Sequence, residues 1–211
     1  LGEYTAWYAS GAFDNETFYR LICERAKVMN KNRPTESGCH MVAIKTKVNV
    51  IPEFESKALP ENVWIANKNS LHQIVFAGDM TSEKTEQCRL LCGTDAIAIP
   101  LQVSCPFHTP KMEKARHDFQ KTVEEVQWNS TSVKMYSNTL GELVNSDTKT
   151  YPTIVNRHMV EPVDFVKDIQ KAYANGVRVF VEFGPRTTCT NFVRDILGTK
   201  AEQNVHIVAT N

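Results

Sequence analysis

Phe18, Leu21, Ile22 and Met29 are spaced by three, four and seven residues, the spacing that lines one face of a helix. Asp14 stands ahead of this run as an N-cap, with Glu16 in the first turn, so a helix is predicted to about residue 30. Residues 1–13 read as a shorter helix ending near Gly11. Residues 31–38 are polar, contain Arg33-Pro34 and read as a loop and a boundary. From residue 39 the period shortens. Strands are predicted over 41–44, 63–66 and 73–77, with a short helix at 50–57 and a turn at the polar run 67–70. Thr81 caps a helix that reaches about Cys92 and is stopped by Gly93, and a strand is predicted over 96–103. Strand-helix-strand-strand-helix-strand is the order of a ferredoxin-like split βαβ unit.

Beyond residue 104 the helical period returns. Met112, Ala115, Phe119, Val123 and Val126 share one helix face. A strand is predicted over 133–136 and a loop over 138–147. Pro162 suits the first turn of a helix whose face is Phe165, Val166, Ile169, Ala172 and Tyr173, ended by Gly176. The nearly continuous apolar run 177–183 reads as a buried strand. Gly184-Pro185 turns the chain, a helix follows from about Thr188 to Leu197, and 205–209 is a last strand. Strands alternating with helices imply a parallel sheet covered by helices, with ligands at the carboxyl ends of the strands. The predicted class is therefore α/β, with a large subdomain (1–38 and 104–211) and an inserted ferredoxin-like subdomain (39–103).

Composition narrows the partners. The 211 residues are 42% hydrophobic and carry 24 acidic against 24 Lys and Arg side chains. Such a neutral chain gives no reason to expect nucleic acid or an anionic membrane. No apolar run approaches the roughly 20 residues needed to span a bilayer. The first residues have neither a basic start nor a long apolar stretch, so no signal peptide and a cytoplasmic location are expected. With no initiator Met, the sequence is expected to begin inside a longer polypeptide. The six cysteines show no zinc or redox spacing and are expected as free thiols; neither metal nor bound cofactor is anticipated.

Two residues carry candidate chemistry. Arg25 falls on the apolar stripe of the first long helix, three after Ile22 and four before Met29. A guanidinium there either snorkels to the surface or meets an anion. His108 lies at a strand-to-helix junction between Pro106 and Pro110, where it could cap the helix or project as a general base.

A resemblance chooses between these readings. Leu1-Gly2-Glu3-Tyr4-Thr5-Ala6 resembles the sequence just after the nucleophile in malonyl-CoA:acyl-carrier-protein transacylases and in acyltransferase domains of fatty acid and polyketide synthases. Their pattern is Gly-His-Ser-x-Gly-Glu, a form of the nucleophile elbow. Leu1, Gly2 and Glu3 match its last three positions, which puts the serine immediately before Leu1. Five further segments are similar in the same order: Glu24-Arg25 with Met29, Asn69-Ser70-Leu71-His72-Gln73 with Gly78, Phe107-His108 with Met112, Tyr136-Ser137-Asn138 with Gly141, and Val181-Glu182-Phe183-Gly184-Pro185.

The resemblance implies an α/β-hydrolase-like large subdomain and a Ser-His acyl-enzyme mechanism. His108 would be the base, oriented by the backbone carbonyl of His158. Most relatives have Gln at that position, and since only its main chain is used the departure should matter little. The backbone N–H of Leu1 would donate to the oxyanion, with a second donor from a glutamine upstream. Arg25 would pair with the malonyl carboxylate, and Gln73 would lie near the same pocket. Phe107 would favour malonyl over methylmalonyl, although Cys105-Pro106 departs from the His-Ala that usually accompanies it. Expected partners are malonyl-CoA, an acyl carrier protein and a neighbouring ketosynthase domain, the acyl groups being carried on CoA and phosphopantetheine. The 211 residues alone are expected to be inactive. The alternatives are a degenerate docking domain without activity and a serine hydrolase; the lack of an acidic triad partner and the presence of Arg25 weigh against the hydrolase.

Overall fold

The computed structural model describes residues 1–33, 39–49, 58–199 and 204–210. Helix α1 spans Gly2–Ala9 and α2 spans Asn15–Lys31. The Asp14 side chain caps α2 by accepting from the Thr17 backbone N–H at 2.8 Å. Strand β1 (Cys39–Lys45) is followed by β2 (Val63–Ser70), β3 (Gln73–Asp79), α3 (Ser82–Cys92) and β4 (Ile97–Pro100). These strands lie in the order β4-β1-β3-β2, and each neighbouring pair is antiparallel. That is the arrangement of a ferredoxin-like sheet. The predicted helix at 50–57 falls outside the described residues.

The polar run 67–70 is strand, not turn; the chain reverses at Leu71 and His72. Its polarity has another cause. Two register shifts bend β2 here, and Asn67 and Lys68 pair in parallel with β7 (Val163–Asp164). Lys68 Nζ also meets Asp164 Oδ2 at 3.3 Å. Val163 and Asp164 are thereby drawn into a five-stranded sheet, so Pro162 precedes a strand. The following helix, α6 (Phe165–Ala174), starts later than predicted, with Asp164 accepting from the Lys167 N–H at 3.0 Å.

Between the sheet and α6, residues Pro110–Met112 form a 3-10 turn that leads into α4 (Glu113–Glu124). The predicted face of α4 is buried: Met112, Ala115, Phe119, Val123 and Val126 all enter the main core with Tyr4, Trp7 and Leu21. The strand predicted over 133–136 shrinks to β5 (Tyr136–Ser137), which pairs with β6 (Glu142–Leu143) inside the supposed loop. Helix α5 (Tyr151–Arg157) has no counterpart among the predicted elements, although Tyr151, Ile154 and Val155 bury one face of it.

Strand β8 (Val179–Glu182) pairs in parallel with β9 (His206–Ala209), and α7 (Thr188–Leu197) packs on them. The expectation of a buried strand at 177–183 fails: Val179, Val181 and Phe183 are 59%, 43% and 83% exposed. The alternate side chains turn inward, with Phe180 and Ile207 packed against α6 and α7.

The antiparallel sheet is apolar on both sides. Ile44, Ile74 and Phe76 pack on α3, while Met41, Ala43, Val75 and Ala77 form the opposite face. Phe107 packs against that second face and also against the main core. One aromatic ring thus pins the loop that carries His108 between the two cores.

Candidate active site

The chain reaches His108 through a tightly bonded loop. Phe107 N–H donates to the Cys105 carbonyl at 2.9 Å, and Thr109 Oγ1, fully buried, donates to the Pro106 carbonyl at 2.6 Å. His108 itself has φ +61°, a left-handed backbone uncommon for a side-chain-bearing residue. Such strain persists where the surroundings over-determine it, and it clusters at functional sites. Here two bonds to the segment after α5 hold it. The His108 N–H donates to the Met159 carbonyl at 3.1 Å, and the ring Nδ1 lies 2.9 Å from the His158 carbonyl.

A carbonyl can only accept, so Nδ1 carries the proton and Nε2 keeps its lone pair. Burial pushes the imidazole down to about 3, helped by His158 and the Arg25 charge and opposed by the bond to the carbonyl. The ring is therefore neutral at ordinary pH. One part of it remains open to a cavity of about 350 Å³ between the sheet and the helical region, lined also by Trp64, Ile65, Pro110, Val160 and Pro162.

Arg25 does not snorkel freely. Its Cζ lies 5.5 Å from the centre of the buried Tyr4 ring. Its Nε is buried and has no hydrogen-bond partner among the described residues. A buried, unpaired donor on a cation is costly, and an anionic ligand removes that cost. The Arg25 charge depresses both His108 and His158, as expected of groups gathered around one centre. Leu1 is the N-cap of α1, and its backbone nitrogen lies within electrostatic reach of Arg25, His108 and His158.

The structure therefore brings Leu1, Arg25, His108 and the His158 carbonyl together, with Phe107 next to His108 in the chain and packed between the two cores. Gln73 lies on the same face of β3 as Val75 and Ala77, the face that packs on Phe107, but its Oε1 accepts from Asn69 Nδ2 at 2.9 Å and no hydrogen bond among the described residues joins it to His108 or Arg25.

Glu3 matches the motif in the sequence, but its role emerges only from the fold. It is 8% exposed, and its carboxylate accepts from Ser137 Oγ at 2.7 Å, Asn138 N at 3.1 Å and Asn138 Nδ2 at 2.9 Å. These bonds explain the Ser137-Asn138 segment. The available signal was a carboxylate on the same helix face as Tyr4 and Trp7, both 1% exposed.

The Acyl transferase domain family matches residues 1–210. The chain belongs to that family. Over its whole length this acyl transferase domain is 31% identical to one subunit of the polyunsaturated fatty acid synthase of Thraustochytrium sp., of which it covers 7%. It is 28% identical to the malonyl CoA-acyl carrier protein transacylase of Bacillus subtilis, with 93% of the chain and 62% of that protein aligned. Its fold superposes on an acyl carrier protein S-malonyltransferase from Vibrio cholerae with a TM-score of 0.83 and 26% identity, covering 100% of the chain and 67% of that structure. The acyl transferase domain thus spans less than two thirds of the length of the two curated relatives. Its class is α/β. No helix among the described residues is long and apolar enough to cross a membrane.

Proposed function

We propose that this acyl transferase domain moves a malonyl group from CoA to the phosphopantetheine thiol of an acyl carrier protein through a Ser-His acyl-enzyme. The observation that carries the reading is the bond between His108 Nδ1 and the His158 carbonyl, which leaves the Nε2 lone pair free to act as a base on a residue that lines the cavity. A serine immediately before Leu1 is the nucleophile. His108 Nε2 takes its proton as Oγ bonds to the thioester carbon. Collapse of the oxyanion breaks the C–S bond, and His108 returns the proton to the CoA thiolate. In the second half-reaction His108 takes the pantetheine thiol proton, sulfur attacks the acyl-serine, and the serine oxygen leaves with that proton.

The backbone N–H of Leu1, at the start of α1, serves as an oxyanion donor, where the helix dipole favours negative charge. Arg25, whose buried Nε lacks a partner among the described residues, receives the malonyl carboxylate as a bidentate pair. That pairing neutralises one of the charges that depress His108 and so makes it a stronger base when substrate is bound. Phe107 supplies bulk beside the α-carbon, and Gln73 is assigned to the pocket rim. The chemistry draws on thioesters carried by CoA and phosphopantetheine, with no resident cofactor, in the cytoplasm and beside a ketosynthase. The division into 39–103 and the remainder is proposed on the same footing, with β7 joining the two.

The test uses the polypeptide extended upstream to include the serine. Incubation with malonyl-CoA should add one malonyl mass, lost when that serine is changed to Ala, while the 211 residues alone should add none. Full loading by a His108→Ala variant would sink the mechanism. No loading by the extended wild type would favour a docking domain without activity.

A further inference from the structure

The resemblance gives His158 a role through its main chain alone, yet its side chain is 5% exposed and lies inside the site. Its ring stands between the catalytic candidate and the buried carboxylate. The centroid is 5.1 Å from that of His108 at an interplanar angle of 77°, and 5.9 Å from that of Tyr4 at 72°. On the other side, Nε2 lies 3.4 Å from Glu3 Oε2. Nδ1 has no partner among the described residues.

We propose that the His158 side chain is a positioning residue: its ring is a strut that transmits the fixed position of Glu3 to His108. Glu3 is suited to be the anchor, because three donors from Ser137 and Asn138 already hold its two oxygens. The proton of His158 belongs on Nε2, facing the carboxylate, since Nδ1 has no acceptor to meet. Burial, with the Arg25 charge, pushes this imidazole down to about 3, so the contact to Glu3 is made by a neutral N–H. Neutrality matters beside a base, because a cationic ring there would repel the proton His108 must accept. The charged and titratable groups around the pair are Glu3 and Tyr4 from α1 and Arg25 from α2.

Both contacts to His108 come from one residue. The carbonyl of His158 fixes the direction of Nδ1–H, and the ring limits how far the His108 plane can tilt. Position 158 caps the end of α5, so a side chain tied to Glu3 also fixes the carbonyl on the same backbone. A small shift of a catalytic group is enough to slow a reaction by large factors.

This inference rests on the acyltransferase reading, and its test has one arm that does not. In the upstream-extended polypeptide, His158→Phe keeps ring volume and the carbonyl but loses the donor to Glu3. His158→Gln keeps an N–H donor. The first readout is the proton NMR signal of His108 Nδ1–H, which reports the bond to the 158 carbonyl whether or not the protein is active. The second is kcat and KM for malonyl transfer.

His158→Phe should weaken or abolish the Nδ1–H signal and lower kcat roughly tenfold, with KM changed less than about twofold. His158→Gln should recover the signal and most of kcat. If His158→Phe retains both, only the carbonyl matters and the proposal is overturned. Equal losses in both variants, matched by equal losses of thermal stability, also overturn it, because the role is then packing. Should His158→Phe not fold, His158→Gln decides: a lost Nδ1–H signal in a folded Gln variant overturns the strut. Absence of any malonyl transfer by the wild type counts against the acyltransferase reading, while the NMR signal still decides the strut.

Discussion

The surroundings of His108 and the β8–β9 pair invert the usual distribution of polar and apolar side chains. Around His108, charged and polar groups are buried: Glu3, His158 and Thr109 are all 8% exposed or less. On β8 and just past it, Val179, Val181 and Phe183 of an apolar run face outward. In the first region most burial is matched by a directed contact, the exceptions including Arg25 Nε, His158 Nδ1 and Asn138 Oδ1. In the second, one face packs on α6 and α7 and the other is largely exposed. Hydrophobicity alone therefore predicts neither place. Burial follows what covers a residue, and buried polar groups persist where partners are supplied.

The largest break in this contrast should come from His108→Ala. Removing the base should lower malonyl transfer by roughly a thousandfold, read in steady-state kinetics of the upstream-extended polypeptide, with the fold retained by circular dichroism. Arg25→Ala should act next, cutting malonyl loading by about a hundredfold and shifting preference towards acetyl-CoA in a competition assay. Unchanged malonyl loading would remove Arg25 from the site.

Acid should attack the first region selectively. Both histidines have folded pKa values of about 3, below the ordinary 6.5. The unfolded chain therefore binds more protons between those values, so stability is complete above about 6.5 and falls as pH drops towards 3. The loss should reach up to ~1.4 kcal/mol per pH unit for each ring. His158→Gln should flatten the dependence of the urea midpoint between pH 6.5 and 4. Asp168 on α6 works in the opposite direction. Burial, then Glu3 and Asp164, push its carboxyl up to about 8, and its Oδ1 has no partner among the described residues. The folded state thus holds a proton that the unfolded state releases above about 4, and stability falls as pH rises from there to 8. Asp168→Asn should raise the unfolding free energy from urea titration at pH 8 relative to pH 5, by about 1 kcal/mol. The smallest effect should be at the exposed edge, where Val179→Thr should change stability by less than about 0.5 kcal/mol in the same assay.

Local signals are readable where chemistry and neighbours agree. Asp14 and Thr81 cap the helices predicted for them, and Gly93 ends its helix with φ +125°. The face of α4 is legible because a 3.6-residue period needs only one buried side. The polar strand residues 67–70 are not, because their partners Val163 and Asp164 lie almost a hundred residues away. Helix α5 escapes prediction despite Tyr151, Ile154 and Val155, since Pro152 and the polar residues before it read as loop. For the site, position along the chain identifies His108 and Arg25. The Glu3–His158 contact stays hidden because it joins two residues that each look sufficient alone.

The pairing of β7 with β2 has a mechanical consequence. The cavity beside His108 lies between Trp64 and Ile65 on one wall and Val160 and Pro162 on the other. Immediately past those residues, Asn67 and Lys68 are stitched by backbone bonds to Val163 and Asp164. Lys111 Nζ meets Asp79 Oδ1 at 2.8 Å, a side-chain tie between the 3-10 turn and the end of β3. The two walls behave like the covers of a book: the strand pairing is the spine, and the Lys111–Asp79 pair is a clasp that salt can loosen.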